Sequence, residues 1–286
     1  MSDLLEQLSS ARTYQGQLKN LELSDALQAL ESLDKASEQK KQLGCLLSLG
    51  GIAGLFGGVV LAVSAQIPAL SLICVGGLAA LVWGLLTRSA AGKTDFEDRR
   101  YQLLNRMSRL LEVDMAADSL WELRLDLQPV DHSSKNVGSG KVGIWNVDYY
   151  EDPWLSLQGQ LLDGTRFSVG LTEKYQYRHR KKISASGKLK HKSKTKTALQ
   201  AVVSVKPKEK RYPGAGQLGQ QARGAVQVPA TAQVKDLSVR ENVLTLKTAS
   251  RGDWTVDTTT HLLSQMLLSL YQVLNLSRKI DKAQSS

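Results

Sequence analysis

Lysine occupies every second position in one short stretch, as Lys188, Lys190, Lys192, Lys194 and Lys196. Just ahead of it, Lys174, Arg178, Arg180 and Lys182 also fall on alternate positions. Rows of ammonium and guanidinium groups bind anions, and phosphate oxygens are their best-matched acceptors. Residues two apart on an extended strand project to one face at about 6.6–6.8 Å spacing. This pattern therefore predicts a cationic ladder. In open water each neighbouring pair would repel by only about 0.6 kcal/mol, so the ladder is tolerable without a ligand.

The charge is local. Between Lys174 and Arg211 there are fourteen Lys or Arg against one acid, Glu209, a surplus of 13 in a chain whose net charge is +10. The rest of the chain is mildly acidic, which points to a polyanionic partner for this segment alone. Four explanations fit it: lysines that keep a sheet edge from aggregating, attachment to the anionic inner leaflet of a membrane, nucleic-acid binding with Tyr175, Tyr177 and His179 as interleaved stacking groups, and an acidic patch on a partner protein. Edge protection needs one or two charges, and nine stand on the favoured positions, which favours a polyanion.

No other residues assemble a reaction centre. His132, His179, His191 and His261 have no ligand spacing with each other or with carboxylates, so no metal is expected. Gly92-Lys93-Thr94 and Gly138-Ser139-Gly140-Lys141 lack the glycine five positions earlier that a phosphate loop requires; Thr87 and Lys135 stand there instead. Asp148, Glu151 and Asp152 read as a solvated turn before Pro153. Cys45 and Cys74, the only two cysteines, offer neither a disulfide framework nor a metal motif. The expectation is a non-enzymatic protein with no cofactor.

The ladder needs strands to hold it. Trp121, Leu123, Leu125 and Leu127 alternate with polar residues, which predicts a half-buried strand. A further strand is expected within Lys141–Tyr150, and two more surround the turn signal Asp163-Gly164. The second of these continues to about Lys182, turns near Ser186-Gly187 and returns through Lys206. Its return places Leu199, Ala201, Val203 and Val205 on the face opposite the lysines. Residues 207–231, rich in Gly and Pro, read as a loop. Another hairpin turns at Glu241-Asn242, and a helix over about Thr258–Lys282 presents Leu262, Leu263, Met266, Leu267 and Leu270 to the sheet.

Ahead of these strands the composition changes. No Asp, Glu, Lys, Arg or His occurs between Gln42 and Thr87. Two apolar runs, 43–65 and 68–86, would span about 34 and 28 Å as helices, against a hydrocarbon core of about 30 Å. They predict a transmembrane hairpin with its turn at Ser64–Pro68. Lys35, Lys40 and Lys41 precede it and Arg88, Lys93, Arg99 and Arg100 follow, so the positive-inside rule puts both termini in the cytoplasm. Gly50, Gly54 and Gly58, with Gly76, Ala80 and Gly84, form small-residue stripes at four-residue spacing that let the helices approach. One stripe, or Gly51 and Gly57, would otherwise join protomers of a homo-oligomer.

Residues 1–42 read as a cytoplasmic helical segment, with Ser24 as an N-cap and Leu23, Leu27, Leu30 and Leu33 along one stripe. Thr94-Asp-Phe-Glu97 reads as a capping box opening an amphipathic helix to about Val113, within a juxtamembrane segment 87–118 that pairs with the N-terminal helices as a stalk or lies on the membrane. The fold class expected is an α+β inner-membrane protein: N-terminal helices, a two-helix transmembrane hairpin at 43–86, and a cytoplasmic antiparallel-sheet domain at 119–282 carrying the basic hairpin 174–206, with 283–286 as a tail. Its partners would be membrane, anionic lipid or nucleic acid, and copies of itself.

Overall fold

Among the described residues, eight strands form one antiparallel sheet and five α-helices accompany them; the chain is α+β. The structure, a computed structural model, describes residues 3–65, 71–92, 97–183, 187–212 and 224–284. The turn at Ser64–Pro68, the capping box Thr94–Glu97, the turn at Ser186-Gly187 and the loop 207–231 each lie partly outside the described residues.

Two compact units divide the chain: Met1–Ala26 with Arg99–Ser286, and Leu27–Asp98. In the first, α1 (Asp3–Ala11) leads into β1 (Thr13–Lys19), and α4 (Asp98–Glu112) precedes β2 (Leu120–Asp126), β3 (Asn136–Val142), β4 (Trp145–Gln160), β5 (Arg166–Ile183), β6 (Leu189–Lys206), β7 (Ala232–Arg240) and β8 (Val243–Arg251); α5 (Val256–Gln284) closes it. The sheet order is β1-β2-β4-β5-β6-β8-β7, with β3 added beside β4. The expected turns form. Gly164 takes φ +81°, and Glu241 and Asn242 both take positive φ, as a two-residue hairpin of the primed type requires.

Strand alternation makes one face apolar. Trp121, Leu123 and Leu125 of β2, Phe167, Val169 and Leu171 of β5, and Leu199, Ala201, Val203 and Val205 of β6 are all buried. The buried face of α5, including Leu263, Met266 and Leu270, packs across β6 and β8. The opposite face of the sheet stays polar, with Gln17, Arg124, Gln158, Gln200 and Thr245. Residues 13–19, expected to be helical, instead pair as β1 along the whole of β2. Ser24 is no cap, because the next helix already begins at Asn20, where Glu22 Oε2 accepts from the Lys19 amide at 3.0 Å.

In helix α4, Leu103, Leu104, Met107 and Leu111 are buried, and so is Arg100, completely. Arg100 Nη2 donates to Asp152 Oδ2 at 2.7 Å, and Nη1 donates to the carbonyls of Asp126 at 2.8 Å and Gln128 at 3.3 Å. Glu173 Oε2 lies 3.5 Å away, and Lys135 Nζ adds contacts to Asp152 at 2.9 Å and Asp126 at 3.1 Å. The guanidinium also lies over Trp154, which stacks on Trp254. Asp152 is therefore not part of a solvated turn. A register break between Asp152 and Leu155 re-aims its side chain inward.

Helix α2 (Asn20–Ala65) runs unbroken from the polar N-terminal segment into the apolar one, and within the second unit α3 (Ser71–Gly92) packs against its apolar part. By length and composition α2 is the one helix among the described residues fit to cross a membrane. The contact stripe is shifted from the one expected. A Cβ on Gly50 or Gly76 would meet nothing within 4 Å, whereas one on Gly51 would stand 2.6 Å from the Gly77 carbonyl oxygen. A Cβ on Gly77 would stand 2.8 Å from the Gly51 carbonyl oxygen, and one on Gly84 2.6 Å from that of Gly44. Gly44, Gly51 and Gly58 are buried at seven-residue spacing; Gly54 and Ala80 are half-buried, and the Gly54 carbonyl carbon would stand 3.0 Å from a Cβ on Gly77. Leu33, expected on the buried stripe, is exposed.

Arg100→Leu leaves Asp152 and Glu173 buried without their guanidinium and should cost about 3–5 kcal/mol, read as a lower urea midpoint for the full chain in mild detergent. Arg100→Lys should not restore it, since an ammonium cannot reproduce the forked contacts. An unchanged midpoint would show the network to be dispensable. Gly51→Leu should lower the thermal stability of the helix pair, whereas Gly50→Leu should not. Equal effects would place the contact elsewhere.

Candidate functional site

The cationic face is made by register. Strands β5 and β6 pair without a shift from Arg166 opposite Lys206 to Ile183 opposite Leu189. Residues directly opposite in an antiparallel pair share a face. Arg178 stands opposite Lys194, Arg180 opposite Lys192, and Lys182 opposite Lys190, while Lys196 faces Gln176. Lysines 188 to 196 are all exposed. Before Ala198, where its pairing with β8 ends, β6 pairs among the described residues with β5 alone.

Trp145, at the start of β4, organises the middle of this face. Arg180 lies 4.7 Å and Lys194 4.6 Å from its ring centroid, so two cations share one indole. Arg178 Nη2 donates to Gln176 Oε1 at 2.8 Å. The Nε groups of Arg178 and Arg180 are buried and have no hydrogen-bond partner among the described residues. Lys174 is set apart from the rest, its Nζ 3.7 Å from Glu151 Oε2. Arg251 of β8, opposite Ala198, extends the cationic face toward the body of the sheet. Neither Trp145 nor Arg251 stands out in the sequence. Trp145 sits one residue after a glycine turn, and Arg251 is a lone cation whose neighbour is set by pairing across 53 residues.

The aromatic residues expected to interleave with the lysines lie on the other face. Tyr175, Tyr177 and His179 share it with Thr197, Thr195 and Ser193. Tyr177 stacks on His179 at 5.7 Å between ring centroids, and Tyr175 meets Tyr150 edge-on at 6.0 Å. Asp148 accepts from Ser139 Oγ at 2.6 Å and lies 3.6 Å from His179 Nδ1. Burial, and after it the charge of Asp131, raises the Tyr175 hydroxyl above its ordinary range, keeping it a neutral phenol. A recess of about 720 Å³ opens beside Tyr177, His179, Lys181 and His191.

Among the described residues, the one group with metal-ligand spacing is Asp34, Glu38 and Asp98, whose oxygens lie within 4.8 Å of one another. It combines three carboxylates with no histidine or cysteine. The described free cysteine, Cys45, is exposed on α2. Gly138-Ser139-Gly140-Lys141 lies within strand β3 and forms no phosphate loop. No family model, no curated protein and no solved structure matches the chain.

Proposed function

We propose that this chain is a non-enzymatic, membrane-anchored binding or scaffolding protein whose basic β5–β6 hairpin engages an anionic, phosphate-bearing surface. The anchor in this reading is a two-helix transmembrane hairpin, α2 with α3, with both termini cytoplasmic. Support for the anchor comes from the outward sides of both helices. Leu46, Phe56 and Val60 of α2 and Val75, Trp83 and Leu86 of α3 are exposed, an arrangement suited to lipid and costly in water. The flanking lysines and arginines supply the orientation.

One observation carries the anionic partner: three pairs of cations stand directly opposite one another across the hairpin. Like charges so placed are destabilising, by about 0.8 kcal/mol per pair at 5 Å in water. Edge protection would account for lysines on β6. It does not account for Arg178, which sits on an interior strand with Val147 of β4 on one side and Lys194 of β6 on the other. A ligand rich in phosphate or carboxylate relieves the whole ladder at once. Inner-leaflet lipid and nucleic acid both supply that chemistry.

The test replaces Lys188, Lys190, Lys192, Lys194 and Lys196 by glutamine in the full chain, held in zwitterionic nanodiscs. Binding to anionic vesicles or to single-stranded nucleic acid should weaken by up to about 1 kcal/mol for each lysine that reaches the surface. Wild-type binding should fall steeply as salt rises, since attraction at about 0.15 M is confined to about 8 Å. A wild-type protein that ignores both ligands at low salt would leave the ladder without a function in binding.

A second reading, an oligomeric, glycine-packed and channel-like assembly, is favoured by Gly50, Gly57 and Gly76, whose outward faces have nothing within 4 Å. It expects Gly50→Leu to reduce particle size in detergent while the helix pair stays folded. Unchanged size would remove it.

A further inference from the structure

On the cationic face each of the strands β3 to β6 contributes a different chemistry. Strand β3 places Gly138 and Gly140 there, opposite Tyr149 and Val147 of β4. Neither glycine has a side chain to rise above the sheet, and a Cβ on Gly138 would meet nothing within 4 Å. Strand β4 presents Trp145 and Tyr149, with Val147 fully buried between them. Strand β5 presents Arg178 and Arg180, and β6 the exposed lysines. Two aromatic rings thus stand one strand away from the guanidinium groups, at a strand separation of about 4.7–4.9 Å. On their other side is bare backbone.

Both rings are recessed. Trp145 and Tyr149 are half-buried, as are Arg178 and Arg180 beside them, whereas Lys192, Lys194 and Lys196 are exposed. Tyr149 leans toward β3, its Cε2 3.7 Å from where a Cβ on Gly140 would stand. Trp145 is shared by Arg180 and Lys194, while Tyr149 has no ring contact or hydrogen bond through its side chain among the described residues. A ring lying low on a sheet is badly placed to enter a bilayer, where interfacial Trp and Tyr reach the headgroup level. It is well placed to receive a flat partner. Every base has a π-face, and aromatic stacking beside cations that track the backbone holds single strands of any sequence.

We infer that the cationic face of β3 to β6 binds single-stranded nucleic acid, a base stacking on Tyr149 above the glycine strand while Arg178, Arg180 and the lysines of β6 hold the phosphates. This rests on reading the ladder as an anion-binding face and names nucleic acid as its partner. Gly138 and Gly140 then have a role outside any phosphate loop: they leave open the space that a base needs beside the ring. Stacking and charge have different signatures. Coulombic attraction alone favours a duplex, whose charge is denser, whereas stacking favours a single strand, whose bases are free.

The experiment uses the full chain in zwitterionic nanodiscs and three probes: a thymidine oligonucleotide of about 12 nucleotides, a duplex of the same length, and vesicles containing roughly a third phosphatidylserine. Wild type should prefer the single strand to the duplex. Tyr149→Leu should weaken single-strand binding by about 5- to 150-fold and leave its salt dependence unchanged, because no phosphate contact is lost. Tyr149→Phe should bind as wild type does, which guards against a trivial loss of folding. Gly140→Leu fills the space beside the ring without altering charge, and should also weaken single-strand binding. Single-strand binding by Tyr149→Leu equal to wild type, or a duplex bound by wild type at least as tightly, would overturn the inference while leaving the ladder's role intact. Binding to vesicles but not to oligonucleotide would assign the ladder to lipid and also overturn it. If the five-glutamine variant bound oligonucleotide and vesicles as wild type does, the ladder reading beneath it would fall.

Discussion

A fully buried arginine fixes the plan of the sheet unit. Arg100, Lys135, Asp126, Asp152 and Glu173 bring three carboxylates and two cations together, with Arg100 and Asp152 fully out of water. Such a group is stable only when its members are all present, because each removed partner strands a charge in low dielectric. The members come from α4, the end of β2, a short 3-10 turn at Ser133–Lys135, and facing positions on β4 and β5. No local preference of the chain would hold these segments together. The ionic network does so by penalising every arrangement that omits one.

The network also marks where the core stops. Asp152 stands opposite Glu173, and Glu173 opposite Leu199. On the body side of that row the same face is Leu171, Val169 and Phe167; on the far side it is Tyr175, Tyr177 and His179. The irregularity in β4 between Asp152 and Leu155 divides that strand, its later half pairing with β2 and its earlier half with β3. Strand β3, the earlier half of β4, the later half of β5 and the earlier half of β6 thus leave the core as a projecting set, held by hydrogen-bonded pairing and aromatic contacts around one buried aliphatic residue, Val147. A surface so built can carry three opposed cation pairs because its root is held elsewhere.

Much of this was legible in the sequence where the signal is local. Period-two alternation located β2, β5 and β6, and Asp163-Gly164 and Glu241-Asn242 located their turns, since each of those signals lies within a few residues. Strand β1 was not legible: in Thr13–Lys19 only Tyr14 and Leu18 are deeply buried, and a four-residue gap between apolar residues imitates a helix. Arg100 read as one more cation on an amphipathic helix, because its partners lie 26 to 73 residues further on. The cationic residues of the hairpin were readable one strand at a time. Their opposition across strands, and the place of Trp145 among them, depend on a register that only the paired structure supplies.

Buried positions on α2 recur at alternating steps of four and three: Leu30, Asp34 and Ser37 in the polar part, then Gly44, Gly51 and Gly58 in the apolar part, with Lys41, Ser48 and Leu55 half-buried between them. One continuous seam thus crosses the boundary between two very different compositions. Each residue of an α-helix advances the chain by about 100° around the axis. A single residue added between Ser37 and Gly44 would leave hydropathy and charge untouched, yet it would swing the glycines about a quarter-turn away from α3 and present bulkier neighbours in their place. The length of this polar-to-apolar junction is therefore under the same constraint as its chemistry. An insertion of seven keeps the phase to within about 20°, and shorter ones do not.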